Sequence, residues 1–183
     1  DIWPYNLYFS QLAQRIGGRS AIVGALAGEG EGFGSPAFRA AGDAFARLVA
    51  LDPFQPGHGA MDDGRATQMV AEGEAAMILT GSWRLQRMIW NWTGGPDAMD
   101  AELVQLPFPA IGDRPQQSVT YGGADGFAVS PEAPGVALDF LRRLTAIDVQ
   151  ERMVEIASDI PAASGADLAV KAGFLQEAAE RVL

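Results

Sequence analysis

Apolar residues recur along this chain mostly at three- and four-residue spacing, the periodicity of helices packed on one face. Tyr5, Leu7, Tyr8, Phe9, Leu12 and Ile16 open the pattern, and Gly17-Gly18 ends the amphipathic helix they predict. A weaker helix is expected from Arg19 to Ala27, followed by a flexible loop of alternating Gly and Glu over residues 28–34. Ser35-Pro36 has the form of an N-cap followed by proline at the first helical position. Phe38, Ala41, Phe45, Leu48 and Val49 make the buried stripe of the helix it starts, and Asp52-Pro53 stops it. Asp62-Asp63 begins another helix, to about Glu72, with its carboxylates at the positive end of the helix dipole.

The pattern then changes. Ala75 to Thr80 is a run of small and apolar residues that reads as a buried strand ended by Gly81. Ser82 is the expected N-cap of a helix to about Trp92, with Leu85, Met88, Ile89 and Trp92 as its apolar positions. A polar loop over 93–101 leads to a short strand from Glu102 to Leu106, broken by Pro107-Phe108-Pro109. Strands are expected at 119–121 and 127–129, flanking Gly122-Gly123-Ala124-Asp125-Gly126. Helices over 136–146 and 148–157, a break at Ile160-Pro161 and a last helix over 166–183 complete the chain. The expected fold class is α/β, helix-rich with a small sheet.

Charge narrows the partners. The net charge is -10, and a single lysine, Lys171, stands among the 13 basic residues. A basic stripe for phosphates is absent, so no nucleic-acid partner is expected, and an anionic membrane surface is disfavoured for the same reason. The chain has no cysteine, which excludes disulfides and thiolate chemistry. Its apolar runs fall far short of the ~18 residues that span a membrane. At 183 residues it suits one domain, or one domain plus part of another. It starts abruptly at Asp1-Ile2-Trp3-Pro4, dense in aromatics, which reads as a piece of a longer protein.

Catalytic sets are hard to assemble. His58 is the sole histidine and sits in the loop Pro56-Gly57-His58-Gly59, where a solvated ring is the expected state. Ser82 lacks the G-x-S-x-G frame of a nucleophile elbow, because position 84 is Arg. Asp97, Asp100 and Glu102 cluster, as do Asp62 and Asp63, but neither group has calcium-loop spacing. The Gly-rich 28–34 loop fits no phosphate cradle. No catalytic residue, metal site or cofactor is expected.

The tryptophans stand out: Trp3, Trp83, Trp90 and Trp92. Core packing is the expected role of Trp90 and Trp92. Trp83 differs, since it falls in the first helical turn directly after Gly81 and Ser82. That corner favours ligand contact over core, because a flat indole matches the apolar face of a sugar ring. The glycines of Tyr121-Gly122-Gly123-Ala124-Asp125-Gly126 serve a tight hairpin, close approach to a ligand, or both.

Three stretches resemble a known family. Ala71-Glu72-Gly73-Glu74-Ala75-Ala76-Met77 runs into Gly81-Ser82-Trp83. Leu106-Pro107-Phe108-Pro109 precedes Gly122-Gly123 and Gly126-Phe127-Ala128-Val129-Ser130. Ala137-Leu138-Asp139-Phe140-Leu141 leads through Leu144-Thr145 to Gln150 and then Ile160-Pro161. In order and spacing these resemble the extracellular solute-binding proteins, family 1, of ABC importers, the sugar-binding type. The resemblance implies a periplasmic-binding-protein-like (class II) lobe. Two such lobes would close on a solute by a hinge.

It further implies that residues 1–165 are mostly the C-terminal lobe with hinge-crossing segments, that 166–183 form a C-terminal helix, and that the N-terminal lobe is largely missing. By the same resemblance Trp83 would be the aromatic platform, beside Gly81 and Ser82. Tyr121, Gly122 and Gly123 would supply contacts near the hinge, Trp3 a second cleft aromatic, and Asp125 and Arg84 polar contacts. The implied partners are a small solute, a carbohydrate above all, and the membrane permease of an ABC transporter. The implied location is periplasmic or extracellular, compatible with a membrane-anchored lipoprotein. Two other functions stay open: a glycoside hydrolase using two carboxylates, and a non-catalytic interaction domain.

Overall fold

The computed structural model describes residues 3–111, 122, 125–157 and 160–166, which fall into two compact units. The first comprises residues 3–80 and 106–111, and the second the remainder.

In the first unit α1 runs from Trp3 to Leu26, and Gly18 interrupts it at φ 71°, ψ 176°. Only glycine enters that left-handed region without a steric penalty, so the break lies where Gly17-Gly18 predicts it. Past the break the chain resumes its helix, as expected for residues 19–27. α2 spans Pro36–Val49, with the proline in its first turn. Leu12, Ala13, Ala25, Phe38 and Ala41 form the buried core between α1 and α2, with Phe9, Ile16, Phe45 and Phe108 packed against it. Gly17 lets the two helices approach, since a Cβ there would lie 3.0 Å from that of Ala37.

Arg15, buried on α1, ties the 106–111 segment to this core. Its Nε donates to the Pro109 carbonyl at 3.0 Å and its Nη2 to that of Phe108 at 2.9 Å. The guanidinium also lies 5.0 Å from the Phe108 ring centroid, a cation–π distance.

α3 spans Asp63–Ala71. Asp62 caps it by accepting from the Arg65 amide at 2.8 Å. Its far end closes on Gly73 at φ 75°, with the Gly73 amide donating to Val70 and the Glu74 amide to Met69. Those paired bonds satisfy carbonyls that the helix end leaves over.

The second unit begins with a 3-10 turn, Ser82–Arg84, continuous with α4, Leu85–Asn91. α5 spans Pro96–Glu102, and Met88 and Met99 are the buried residues of this pair. α6 is Gly135–Leu144 and α7 Ile147–Ala157. Gln150 donates to the Leu144 carbonyl and accepts from the Ala162 amide, stitching the end of α6 to the segment after α7.

The α/β expectation is overturned. Among the described residues there is no strand and no sheet. Residues 75–80 and 103–106 run without regular secondary structure, as do 127–129, and none joins a ladder. A strand is defined by a hydrogen-bonded neighbour, which an apolar run cannot supply by itself. Glu102, expected to open a strand, instead ends α5. The polar loop expected over 93–101 holds most of that helix. Residues 119–121 and 167–183 lie outside the described residues, and with them one expected strand and all but the first residue of the expected last helix.

Candidate functional site

The corner at Gly81 is built by Gly81 and Trp83, two positions apart, the glycine leaving room for the indole. Gly81 sits in ordinary extended backbone, φ -103° and ψ 172°. The Trp83 ring folds back over it. A Cβ on Gly81 would lie 1.9 Å from Trp83 Cζ3 and 2.3 Å from Cε3 and Cη2. Glycine is therefore required here for space rather than for its φ. Trp83 as a whole residue is 52% exposed. An aromatic face held against backbone on one side and open on the other is a platform for a flat apolar partner.

The remaining expected site residues separate. Ser82 opens the 3-10 turn and makes no capping hydrogen bond; Gly81 holds the N-cap position instead. The expectation that Ser82 caps a helix is corrected, because Ser82 lies inside the turn, one residue past the N-cap position. Arg84 is half-buried, whereas Gly122 and Asp125 are exposed. Tyr121 and Gly123 lie outside the described residues. Trp3 belongs to the first unit and is 40% exposed at the start of α1.

Trp90, expected in the core, is 74% exposed. Trp92 is half-buried, and its indole N–H donates to Glu102 at 3.1 Å. One apolar stripe on so short a helix cannot bury both tryptophans, and Met88 takes the buried position.

The first unit contains a cleft of about 110 Å³ that Trp3, Tyr5, Tyr8, Phe54 and His58 help to line. His58 is not solvated as expected. It is half-buried, with Nδ1 2.6 Å from the Tyr5 hydroxyl. Its ring stands 5.1 Å from that of Phe54 and edge-on to Tyr5 at 6.0 Å. Tyr8 completes the aromatic wall, 5.5 Å from Phe54 and 6.0 Å from Phe45. Burial raises the Tyr8 phenol above its ordinary range, and the neighbouring Tyr5 adds to the shift. Sequence reasoning assigned Tyr5 and Tyr8 to a helix face alone. Their partners lie some fifty residues away, and no local pattern announces such a pairing.

Among the described residues, the carboxyl groups displaced from their ordinary range move down. Gln68 and Arg65 hold Glu72 down by hydrogen bonds, the Ser130 hydroxyl does so for Glu132, and Arg143 for Asp148. Downward shifts mark stabilised carboxylates, whereas a glycosidase acid needs the opposite shift. Among the described residues no cluster of three or more His, Asp or Glu side chains could hold a metal ion. No helix among them is long and apolar enough to cross a membrane.

No curated protein matches this chain. A family model described as bacterial extracellular solute-binding protein matches residues 12–180, nearly its whole length. That description covers capture of a solute and a location outside the cytoplasm, and such proteins are in general non-catalytic. The description is broader than the sugar-binding type that the sequence motifs resemble. With an exposed indole seated on a glycine and a match of that extent, the chain belongs to the bacterial extracellular solute-binding proteins.

Proposed function

We propose that this protein captures a carbohydrate or related small solute and delivers it to the membrane permease of an ABC importer. Residues 1–165 supply mostly the C-terminal lobe of that binding protein, working in the periplasm or at the outer face of the membrane. The observation that carries this reading is Trp83, 52% exposed and folded onto Gly81. A pyranose presents C–H groups on its faces and hydroxyls on its rim. An open indole face removes the former from water, while nearby polar groups serve the latter. Gly81, against which the ring lies, and its neighbours Ser82 and Arg84 are the residues we assign to that environment, and Trp3, Tyr121, Gly122, Gly123 and Asp125 are the further contacts that the family resemblance implies.

No bond of the solute is made or broken in this function. A thermal-shift screen of the complete protein against neutral mono- and disaccharides tests it, because a ligand bound only by the folded state raises apparent stability by mass action. A rise in melting temperature with a sugar recovered chemically unchanged is the expected result. Hydrolysis of a glycoside, or no response to any sugar, would refute it.

A further inference from the structure

Trp90 takes no part in the core, and the role assigned to Trp83 leaves it unexplained. Resting on the reading of Trp83 as a sugar platform, we propose that the two tryptophans form one strip along α4. The strip holds a neutral oligosaccharide of at least two linked pyranose rings, and Trp90 selects for the length of the solute.

Helix geometry puts the two positions in line. Trp83 and Trp90 are seven residues apart. At about 100° per residue that is about 20° short of two full turns. The first steps pass through the 3-10 turn Ser82–Arg84, and the wider step of such a turn, about 120°, offsets the shortfall. Both residues face outward, with Trp83 52% and Trp90 74% exposed. Met88, two residues before Trp90 and so about 160° around the helix from it, is the buried residue of α4. Met88 therefore takes the inward face, and the tryptophans share the outward one. A single exposed aromatic needs no explanation; two in register, one of them seated at the site, make a continuous apolar strip.

Length decides what fits. The rise along the helix, with the 3-10 turn counted, separates the two positions by about 10–12 Å. A pyranose, closed by bonds of about 1.5 Å, spans only about 5 Å. A monosaccharide on Trp83 therefore falls short of Trp90, whereas two or three linked rings cover the distance. Arg87, exposed, comes four residues after Trp83 and three before Trp90, which places it over the middle of the strip, about 60° to one side. The indoles suit the C–H faces of successive rings, and a guanidinium donates to the hydroxyl oxygens between them. A wholly apolar chain would cover that guanidinium without offering it an acceptor.

Calorimetric titration of the complete protein with glucose, maltose and maltotriose, and with xylose, xylobiose and xylotriose, tests the proposal. The wild type should bind the di- or trisaccharide of one series at least about tenfold more tightly than its monosaccharide. Trp90→Ala should remove that gain, weakening the longer sugar by about 10- to 100-fold while leaving the monosaccharide within about twofold. Trp83→Ala should weaken sugars of every length. Arg87→Gln should weaken the longer sugar by about 3- to 10-fold.

If Trp90→Ala fails to fold, Trp90→Tyr decides through the same comparison: its smaller ring should cost the longer sugar about threefold and the monosaccharide nothing. Equal wild-type affinity for one, two and three rings overturns the strip alone. So does a longer sugar that Trp83→Ala weakens and the Trp90 variants leave unchanged. A wild type that binds none of these sugars overturns the parent reading and the strip together.

Discussion

Gly81→Ala is a minimal change with opposite expected effects on folding and on binding. The new methyl would meet the Trp83 ring at 1.9 Å, well inside van der Waals contact, so the indole has to leave its seat. The backbone at φ -103° accepts alanine without strain, which isolates the displaced ring as the perturbation. Stability should hold or rise by up to about 1 kcal/mol, since alanine restricts the unfolded chain and an exposed ring can swing into solvent.

Binding should fall. With Trp83 as a whole residue 52% exposed and a tryptophan offering roughly 250 Å², about 130 Å² is available, and a stacked sugar covers about half of it. At ~25 cal/mol per Å² that face contributes about 1.5 kcal/mol, and the matching face of the sugar brings the total to about 3 kcal/mol. Affinity should therefore drop between about 10- and 150-fold. Calorimetric titration gives the affinity and urea unfolding the stability. Adding Gly81→Ala to Trp83→Ala should cost nothing more, because both act on one ring. Unaltered sugar affinity in Gly81→Ala, or two losses that simply add, would refute the reasoning.

Three further outcomes follow from the packing. Arg15→Ala should destabilise the first unit by about 2–4 kcal/mol in urea unfolding, because the Phe108 and Pro109 carbonyls lose their charged donor. Arg15→Lys should recover only part of this, since an ammonium cannot fork to two carbonyls in one plane. Met99→Ala should cost about 2–5 kcal/mol, as that side chain is fully buried and its removal leaves a cavity. Tyr8 titrates above its unfolded value of about 10, so its contribution to stability is complete below that pH and is lost as the pH climbs through the folded pKa. Phenolate absorbance and unfolding followed above about pH 10 should show that loss in wild type and its absence in Tyr8→Phe.

Helices were readable because their evidence is local. Gly17-Gly18, Ser35-Pro36 and Asp62 each mark a boundary by conformational preference or by a capping bond spanning only three residues. α5 escaped because its sequence shows little buried side, with Met99 its one buried residue. The start signal was nonetheless there: Gly95 at φ 84°, Pro96 in the first turn and Asp97 behind it. The sheet failed for a different reason. The 75–80 segment looks like a strand by composition, but pairing depends on a remote neighbour that no window of sequence contains.

The site divides along the same line. Trp83 at a Gly-Ser corner is a contiguous signal, and its ring is open to solvent as that corner suggested. The Tyr5–His58 contact joins residues 53 positions apart, and a lone histidine in a Gly-rich loop gave no hint of it. Trp90 shows the converse error, since an aromatic on a helix reads as core until the short α4 proves to have room for Met88 alone.

The most direct test of the account is the calorimetric affinity of the complete protein for a neutral sugar, measured with Trp83 intact and with Trp83→Ala. The account predicts binding without turnover in the first case and an affinity about 10- to 150-fold lower in the second. Equal affinities would take the indole out of the site and contradict the claim that this aromatic face holds the solute.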